Sequence, residues 1–471
     1  MKELSLKFNR LRQSISLRKL LKISSVLLCG IALGYLTTKF AWKGPLIILG
    51  MMIIGFIFFI PEIILLGFLF VDQTPFLSLR TEVFLLLSAS WIIYVLVYKV
   101  RIVVTSIEKV IIGFTFVFIL ASTITPPFFA IVNILNLIVV YFVITTMLDS
   151  EKRMKRFIYG LIIWGLYISL GGIMQVFFQS TIFPTSFSHN SGEGAIVVAT
   201  GTYGDPVVFA RTLQFVMILC FYQILAITEK RSKLILTITL ITITLGWLVS
   251  GNRSTVVSFA VIIAVMLIIN RKISFKLIII ILLALLFVPG FIVIPLLERV
   301  HTIIPTILST AQPQQDVRIS LMLSGFRFLF DNPIRFVTGV GWGNFPIYSL
   351  PYLTTQLGLG QIGGGYTTSS LILLLVEGGI IGLSLLILAI FWSLLEIMRI
   401  RKYYKEKENK EMYLISTGLL IAQIALTVLF LLNNVIVTYL FWLPLALITA
   451  LKRITMKGKN GSKSKDEQAA Y

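Results

Sequence analysis

The chain has 471 residues, of which 57% are hydrophobic and only 13% are charged, and its mean hydropathy is +0.95. Soluble proteins carry about a quarter charged residues, so this composition excludes a soluble globular protein and indicates an α-helical protein that crosses the membrane many times. The net charge of +21 does not indicate nucleic-acid binding, because Lys and Arg lie in short clusters between apolar runs of membrane-spanning length.

The basic clusters predict the topology, because short loops rich in Lys and Arg stay in the cytoplasm. Alternating these clusters with apolar runs gives fourteen spans and places both termini in the cytoplasm. If the pair 45–58 and 60–71 does not cross the membrane, the count falls to twelve. The predicted spans cover residues 23–38, 45–58, 60–71, 84–98, 110–124, 127–148, 157–178, 206–227, 234–250, 254–269, 274–297, 369–396, 412–432 and 434–451.

This topology divides the chain into five parts. We predict a basic cytoplasmic tail at 1–22, an N-terminal transmembrane bundle at 23–297, a large extracytoplasmic loop with short helices at 298–367, C-terminal transmembrane helices at 368–451 and a cytoplasmic tail at 452–471, whose polar end KGKNGSKSKDEQAAY is expected to be disordered. Long polar loops are unusual in a protein that is otherwise nearly all membrane. The loop is therefore the first place to look for function.

Two arginines lie at predicted outer ends of spans. Arg211 follows GTYGDPVVFA about one turn inside its span, where an ionisable residue usually faces the protein interior or an aqueous cavity. It is either half of a structural ion pair with Asp205 or a phosphate ligand. Arg253 lies in the short turn SGNRST, and it either extends to the lipid headgroups or binds an anion at the mouth of the bundle.

The loop 298–367 carries a further arginine on a predicted helix. The pattern DVRISLMLSGFRFLFDNP has apolar residues at helical spacing and predicts an amphipathic helix on the membrane surface, ended by Asn332–Pro333. Arg318 lies near the start of this helix, where the helix dipole and free N–H groups favour an anion.

A glycine-rich segment, GVGWGN, follows that helix. It is either a plain turn or a nest of backbone amides that binds phosphate, with Gly341, Trp342 and Asn344 as candidate substrate-binding residues. The aromatic residues of this region are expected either to stack on sugar rings or to anchor the loop at the membrane interface; they are Trp342, Phe345, Tyr348 and Tyr352.

Glu377 lies inside the next apolar run, in LLLVEGGIIGL, and its burial requires a partner or an aqueous cavity. His189 and His301 are the only histidines, and either is a candidate general base without a supporting motif. Cys29 and Cys220 fall in apolar runs and imply neither a disulfide nor a metal site. No metal-ligand or nucleotide-binding motif is visible, so we expect no cofactor and metal-independent chemistry.

Three of these segments together resemble the O-antigen ligase and polysaccharide polymerase family of bacterial envelopes. They are the turn SGNRST after a span, an arginine followed by DNP and GVGWGNF in a large outer loop, and the span SSLILLLVEGGIIGL. The segment GTYGDPVVFA is also similar to the family's entry to a middle span. The resemblance covers roughly residues 200–450.

The resemblance implies a membrane glycosyltransferase with a GT-C-like, multi-span helical fold. It implies transfer of a glycan from an undecaprenyl-pyrophosphate donor to an acceptor at the outer face of the plasma membrane, with inversion at the anomeric carbon. A turn arginine and a loop arginine bind the pyrophosphate in this family. These positions match Arg253 and Arg318, which are therefore the catalytic candidates.

One departure separates the chain from the ligases of the family. The ligases carry a His-Asn pair about nine residues before the glutamate, where this chain has Thr368 and Ser369. Because the histidine base is missing, we expect a polysaccharide polymerase, with Tyr366 and Thr368 among the substrate-binding residues together with Arg211 and Glu377. A ligase is the first alternative, and a transporter of a lipid-linked glycan or a small anion is the second.

The expected partners follow from this function. They are the undecaprenyl-pyrophosphate-linked oligosaccharide, the glycan acceptor, the lipid bilayer and other polysaccharide-assembly proteins, and they do not include nucleic acid. The expected location is the bacterial plasma membrane, and a capsule or similar envelope polymer is the expected product.

Overall fold

The computed structural model describes residues 104–124, 129–177, 199–201, 203, 205–269, 317–352, 369–436 and 438–469, together with 65–66, 87–88, 91–92 and 94–95. Twelve α-helices of more than two residues lie in these ranges. They are α1 Ser106–Ile124, α2 Phe129–Met147, α3 Glu151–Phe177, α4 Pro206–Ala226, α5 Lys230–Val249, α6 Arg253–Ile269, α7 Val317–Asp331, α8 Pro333–Thr338, α9 Phe345–Ser349, α10 Ser370–Glu406, α11 Lys410–Leu432 and α12 Tyr439–Ala469. All twelve belong to the second of the chain's two compact units, Met1–Gly67 and Phe68–Tyr471.

The predicted fold class, an all-α polytopic membrane protein, is confirmed. Seven of the described helices are long and apolar enough to cross a membrane, namely α1, α3, α4, α5, α10, α11 and α12. The helices α2 and α6 contain shorter apolar stretches, Ile134–Met147 and Ser254–Ile269. These nine helices coincide with the nine predicted spans that fall from residue 104 onward on described residues. Spans predicted earlier in the chain and at 274–297 lie outside the described ranges, so the total of twelve to fourteen stays a prediction.

The helix α4 runs through the middle of the described bundle. Its start is fixed locally, because the Asp205 carboxylate accepts a hydrogen bond from the Val207 N–H at 2.6 Å and Pro206 has no N–H that needs a partner. Most residues of α4 are buried, since α3, α5 and α11 pack around it. On the other side of α11, α10 packs against α1 and α11, and α12 packs against α2.

A buried ion pair joins the helix ends on the side predicted to be cytoplasmic. Glu108 Oε1 on α1 and Arg453 Nη2 on α12 are 2.6 Å apart. Arg453 Nη1 also donates to the carbonyl of Thr145 on α2 at 3.0 Å, and the second Glu108 oxygen accepts from the Thr105 N–H at 2.7 Å. These bonds satisfy two charges that would otherwise be costly to bury, and they tie three helices together.

Two helices extend further than their apolar runs. The sequence predicts ends at residues 396 and 451, whereas α10 continues to Glu406 and α12 to Ala469. Glu396 on α10 pairs with Lys452 on α12, and a Cβ added at Gly458 would lie 2.8 Å from the Tyr403 hydroxyl. The extension of α12 as far as Gly458 is therefore packed against α10. The helix continues to Ala469, so the prediction of a disordered end is wrong.

The predicted loop 298–367 contains helices, as expected. The helix α7 coincides with the predicted amphipathic helix, and the chain turns at Asn332 before Pro333 begins α8. One face of α7 packs toward α10 and is buried; it comprises Leu321, Ser324, Phe328 and Leu329. In contrast, Phe330 is 82% exposed and Ile334 is 76% exposed, so an apolar surface continues from α7 onto α8.

We expect that surface to contact the lipid of the outer leaflet, as the predicted surface helix requires. Nitroxide labels at Phe330→Cys and Ile334→Cys, in a background without Cys29 and Cys220, should be relaxed more by oxygen than by a water-soluble nickel chelate in proteoliposomes. A label at Asp331→Cys, which is exposed and polar, should show the opposite preference. Equal access of the chelate to all three labels would exclude lipid contact.

Removing one partner of the buried ion pair should destabilise the bundle. We expect Arg453→Met to cost about 3–5 kcal/mol because the Glu108 charge stays buried without its cation, and the double variant with Glu108→Gln should recover part of that loss. Arg399→Met is the matched control, since Arg399 pairs with Glu396 but its side chain is 67% exposed, and it should cost under about 1 kcal/mol. Thermal unfolding in detergent measures all three, and equal losses for Arg453→Met and Arg399→Met would contradict the assignment.

Candidate functional site

A polar corner lies where α11 ends, on the side predicted to be extracytoplasmic. The carbonyl of Asn433 accepts from both the N–H and the hydroxyl of Ser370, at 3.1 and 2.9 Å. The same hydroxyl oxygen accepts from the Val435 N–H at 2.7 Å, and the Asn433 amide nitrogen donates to the hydroxyl of Ser254 on α6. The corner therefore joins the starts of α6 and α10 to the end of α11.

Arg211 lies against this corner and is only 3% exposed. Its Nη1 donates to the Asn434 carbonyl at 2.8 Å, and its Nε donates to the Val207 carbonyl of its own helix at 3.1 Å. Its Nη2 donates to no acceptor within the described part of the chain. Both acceptors are neutral carbonyls, and Asp205 interacts with Arg211 electrostatically without a direct ion pair among the described residues.

Two buried amide oxygens near Arg211 also lack partners among the described residues. They are Gln214 Oε1, three residues further along α4, and Asn434 Oδ1. The Gln214 amide nitrogen donates to the Thr255 carbonyl of α6 at 3.2 Å, which places Gln214 between α4 and α6. A buried polar atom without a partner calls for a physical explanation; Gln214 follows Arg211 by about one helical turn, and Asn434 provides the carbonyl that Arg211 binds.

The turn before α6 brings Arg253 to the same place. The Asn252 side-chain oxygen accepts from the Thr255 N–H at 3.1 Å and from the Ser254 hydroxyl at 2.7 Å, so Asn252 caps α6. Gly251 has φ 61°, a conformation that glycine adopts without strain. Arg253 is therefore the first residue of α6 and is adjacent to Ser254, which contacts the corner. Its side chain lies outside what the structure describes.

The glycine-rich turn packs onto the second turn of α10, at Val376 and Glu377. The Val340 N–H donates to the Val376 carbonyl at 3.0 Å, and the Gly341 N–H donates to the Glu377 carbonyl at 2.8 Å. The Phe345 N–H donates to Glu377 Oε1 at 3.1 Å. Acceptors within the protein therefore bind these amides, as expected if the segment is a plain turn and not a phosphate-binding nest.

The same turn also contacts α1. The Trp342 N–H donates to the Ser122 hydroxyl at 3.1 Å, and the Trp342 ring meets the Phe118 ring edge-on with centroids 5.3 Å apart. Gly341 has φ 90°, and a Cβ added there would lie 2.7 Å from the Ser122 Cα. Close approach to α1 therefore requires glycine at position 341.

The predicted aromatic ligands pack inside the protein in the described region. Trp342 and Phe345 are buried, and the rings of Tyr348 and Tyr352 pack on Phe328 of α7, with centroids 5.9 and 5.8 Å away. The Asn332 amide nitrogen donates to the Tyr352 hydroxyl at 3.3 Å. These contacts hold α7 and α9 together, whichever further role the aromatic residues have.

The structure brings the predicted site residues together in two groups. Gly341, Trp342, Asn344 and Glu377 lie in the junction of the glycine turn with α10 and α1, and all four are buried. Arg211 and the backbone of Arg253 lie at the Asn433–Asn434 corner. Arg318 is the second residue of α7, and its side chain is outside the described region, as are Tyr366, Thr368, His189 and His301. Their roles stay predictions.

Several residues of the two groups carry no sequence motif. Ser122 and Gln214 each lie in an apolar helix, and nothing in the sequence links them to a partner. Ser370 directly follows Ser369, the second position of the pair that departs from the ligases, and its hydroxyl organises the corner. The adjacent pair Asn433–Asn434 at the end of a span was the one visible signal of this corner.

The fold and these contacts define a polytopic helical membrane protein in which a glycine-rich turn packs on a long apolar helix, and a buried arginine lies at a second, polar corner. Residues 238–387 match the family model described as O-antigen ligase. The match confirms the predicted resemblance to the O-antigen ligase and polymerase-like family and supports glycan transfer of that general type. The matched region includes Arg253, Arg318, the glycine turn and Glu377. No curated protein matches the chain.

A side chain at position 339 should loosen the junction. We expect Gly339→Ala to lower the unfolding temperature, because its Cβ would lie 2.2 Å from the Glu377 carbonyl oxygen and φ is 73° there. Gly113→Ala on α1 is the matched control: no atom lies within 4 Å of its Cβ, and alanine favours a helix interior by about 1 kcal/mol. Thermal unfolding in detergent compares them, and equal midpoints would contradict the close packing at Gly339.

Proposed function

We propose that the protein is a polysaccharide polymerase of the bacterial plasma membrane. It transfers a growing glycan from an undecaprenyl-pyrophosphate-linked donor to the end of a second glycan at the outer face. The observation that carries the proposal is the Asn433–Asn434 corner, where a buried arginine with an unused nitrogen meets the start of the helix that begins at Arg253. This helix belongs to the region that matches the O-antigen ligase family model.

The proposed ligand at this corner is the pyrophosphate of the donor. Arg253 at the first position of α6 benefits from the positive end of the helix dipole, and Arg211 adds a second guanidinium from α4. In the proposal Arg318 completes the site from the first turn of α7. Guanidinium groups suit this ligand because their planar fork can hold two phosphate oxygens at once.

The proposed reaction needs no further activation, because the glycan of the donor is already linked to a pyrophosphate leaving group. The acceptor hydroxyl oxygen bonds to the anomeric carbon while the bond from that carbon to the pyrophosphate oxygen breaks. The electron pair leaves with the pyrophosphate, and the hydroxyl proton passes to water. Arginines that hold the leaving pyrophosphate stabilise its developing charge, and holding donor and acceptor in line lowers the barrier further. Metal-independent chemistry remains part of the proposal.

Thr368 stands where the ligases carry the histidine base, and a threonine hydroxyl is not a base at neutral pH, which favours polymerase over ligase. The Ser369 hydroxyl, at the second position of the replaced pair, donates to the Leu431 carbonyl at 3.2 Å, so it fastens the start of α10 to α11. A hydroxyl with this structural partner is poorly placed to act as a base. In the proposal the acceptor hydroxyl is activated mainly by its position.

Exchange of the two catalytic candidates for lysine tests the proposal. Arg253→Lys and Arg318→Lys keep the charge and lose the fork, so each should slow chain elongation by about 100-fold. Arg327→Lys is the matched control, because Arg327 lies exposed on the same helix as Arg318, and it should elongate normally. The measurement is the ladder of products that purified protein forms from lipid-linked repeat units in liposomes. Undiminished ladders from both lysine variants would refute the pyrophosphate clamp.

The same assay separates the alternatives. A polymerase converts repeat units into a ladder, whereas a transporter moves labelled repeat units across the liposome membrane without lengthening them. A ligase adds a preformed chain to a separate acceptor and gives a single larger product. Transport without any ladder would replace the proposed function.

A further inference from the structure

The span α10 is interrupted at Gly379, and Val376 and Glu377 are among the residues whose carbonyl groups lose their regular helical partners. Gly379 has φ 62° and ψ −173°, so the regular hydrogen bonds from the amides four residues after Val376 and Glu377 are lost. The glycine turn supplies replacements, because the Val340 and Gly341 amides donate to these two carbonyls at 3.0 and 2.8 Å. The turn thus supplies donors for two of the carbonyls at the interruption.

Two facing glycines make this contact possible. A Cβ at Gly379 would lie 2.2 Å from the Val337 carbonyl oxygen and 2.7 Å from the Gly339 nitrogen. A Cβ at Gly339 would lie 2.6 Å from the Gly379 nitrogen. The two backbones are therefore in direct contact at a separation that no other residue allows, and the turn is seated in one position on α10.

Glu377 fastens the far end of the same turn. Its side chain is 1% exposed, and its Oε1 accepts from the Phe345 N–H at 3.1 Å. The Gly343 N–H is also hydrogen-bonded to this carboxylate. The carboxylate and the carbonyl of one residue therefore hold both ends of the turn, and a buried carboxylate with backbone donors is satisfied by the protein itself.

The junction extends to α7, the helix that carries Arg318. A Cβ at Gly325 of α7 would lie 3.0 Å from the Ile372 side chain and 3.1 Å from the Phe345 ring. Phe345 is also the residue whose N–H donates a hydrogen bond to the Glu377 carboxylate. Arg318 lies about two helical turns before Gly325, roughly 10 Å along α7. Any shift of the turn on α10 is therefore transmitted to Arg318.

We propose that Glu377 is a positioning residue: its carboxylate seats the glycine turn on the interrupted span and thereby fixes α7 and Arg318 relative to the membrane bundle. The role assigned to Arg318 rests on the proposed function, whereas the seating of the turn does not. In this role Glu377 acts through backbone amides, in place of the substrate contact expected from the sequence.

Three substitutions at position 377 test this role. Glu377→Gln keeps the volume and one acceptor oxygen, so the turn should remain seated and elongation should stay near the unsubstituted rate. Glu377→Leu keeps a similar volume without an acceptor, so the turn should shift and elongation should fall by about 100-fold, as expected for a misplaced catalytic group. Glu377→Met also lacks an acceptor and serves as the second variant where Glu377→Leu does not fold.

A distance measurement reports whether the glycine turn and α7 keep their position on α10, independently of enzymatic activity. Nitroxide labels at the exposed positions Arg327→Cys on α7 and Met398→Cys on α10, without the native cysteines, report the separation of the two helices by double electron–electron resonance. The distance distribution should stay narrow in Glu377→Gln and should broaden in Glu377→Leu or Glu377→Met.

The two readouts distinguish the outcomes. A narrow distribution in Glu377→Leu and Glu377→Met overturns the proposal. A narrow distribution in Glu377→Gln with elongation abolished also overturns it, because the carboxylate then acts on the substrate. If the distributions behave as expected while Arg318→Lys elongates normally, the positioning role stands and the proposed function of the loop arginine fails.

Discussion

A backbone carbonyl inside hydrocarbon has no water to bond with, so every interruption of a membrane helix must find its hydrogen-bond donors within the protein. This constraint governs the junction at Gly379. The amides of Val340 and Gly341 are the donors, and they reach the span because glycine at positions 339 and 379 lets two backbones touch. The position of helices α7 to α9 depends on that contact, since the turn between α8 and α9 binds directly to α10.

Hydropathy and charge were enough to predict most of the described fold. Apolar runs separated by basic clusters placed nine described helices, and the apolar spacing with Asn332–Pro333 placed α7 and its end. The extensions of α10 and α12 beyond their apolar runs were missed because hydropathy detects only the apolar part of a helix. Their stability comes from contacts such as Glu396 with Lys452, which a one-dimensional pattern does not contain.

The site was predicted less completely than the fold, for a related reason. The arginines and the glycine turn were visible as motifs, but the partner of the turn was not, since Gly339 and Gly379 are far apart in sequence. A Gly-Gly pair in an apolar span indicates close packing and does not reveal an interruption. Glu377 was expected to need a partner, and that partner proved to be a backbone amide of Phe345, a group that carries no sequence signature.

The seating of the turn also has a consequence for biogenesis. The turn precedes Glu377 by some thirty positions, so it leaves the ribosome before the span that receives it has been made. Until α10 inserts, the donors of the turn must be satisfied by water, and α7 has no fixed place against the bundle. Seating of α7 to α9 is thus a late event, completed only after α10 enters the bilayer. A chain stopped before α10 would keep its earlier helices, yet it would lack the surface on which α7 to α9 pack.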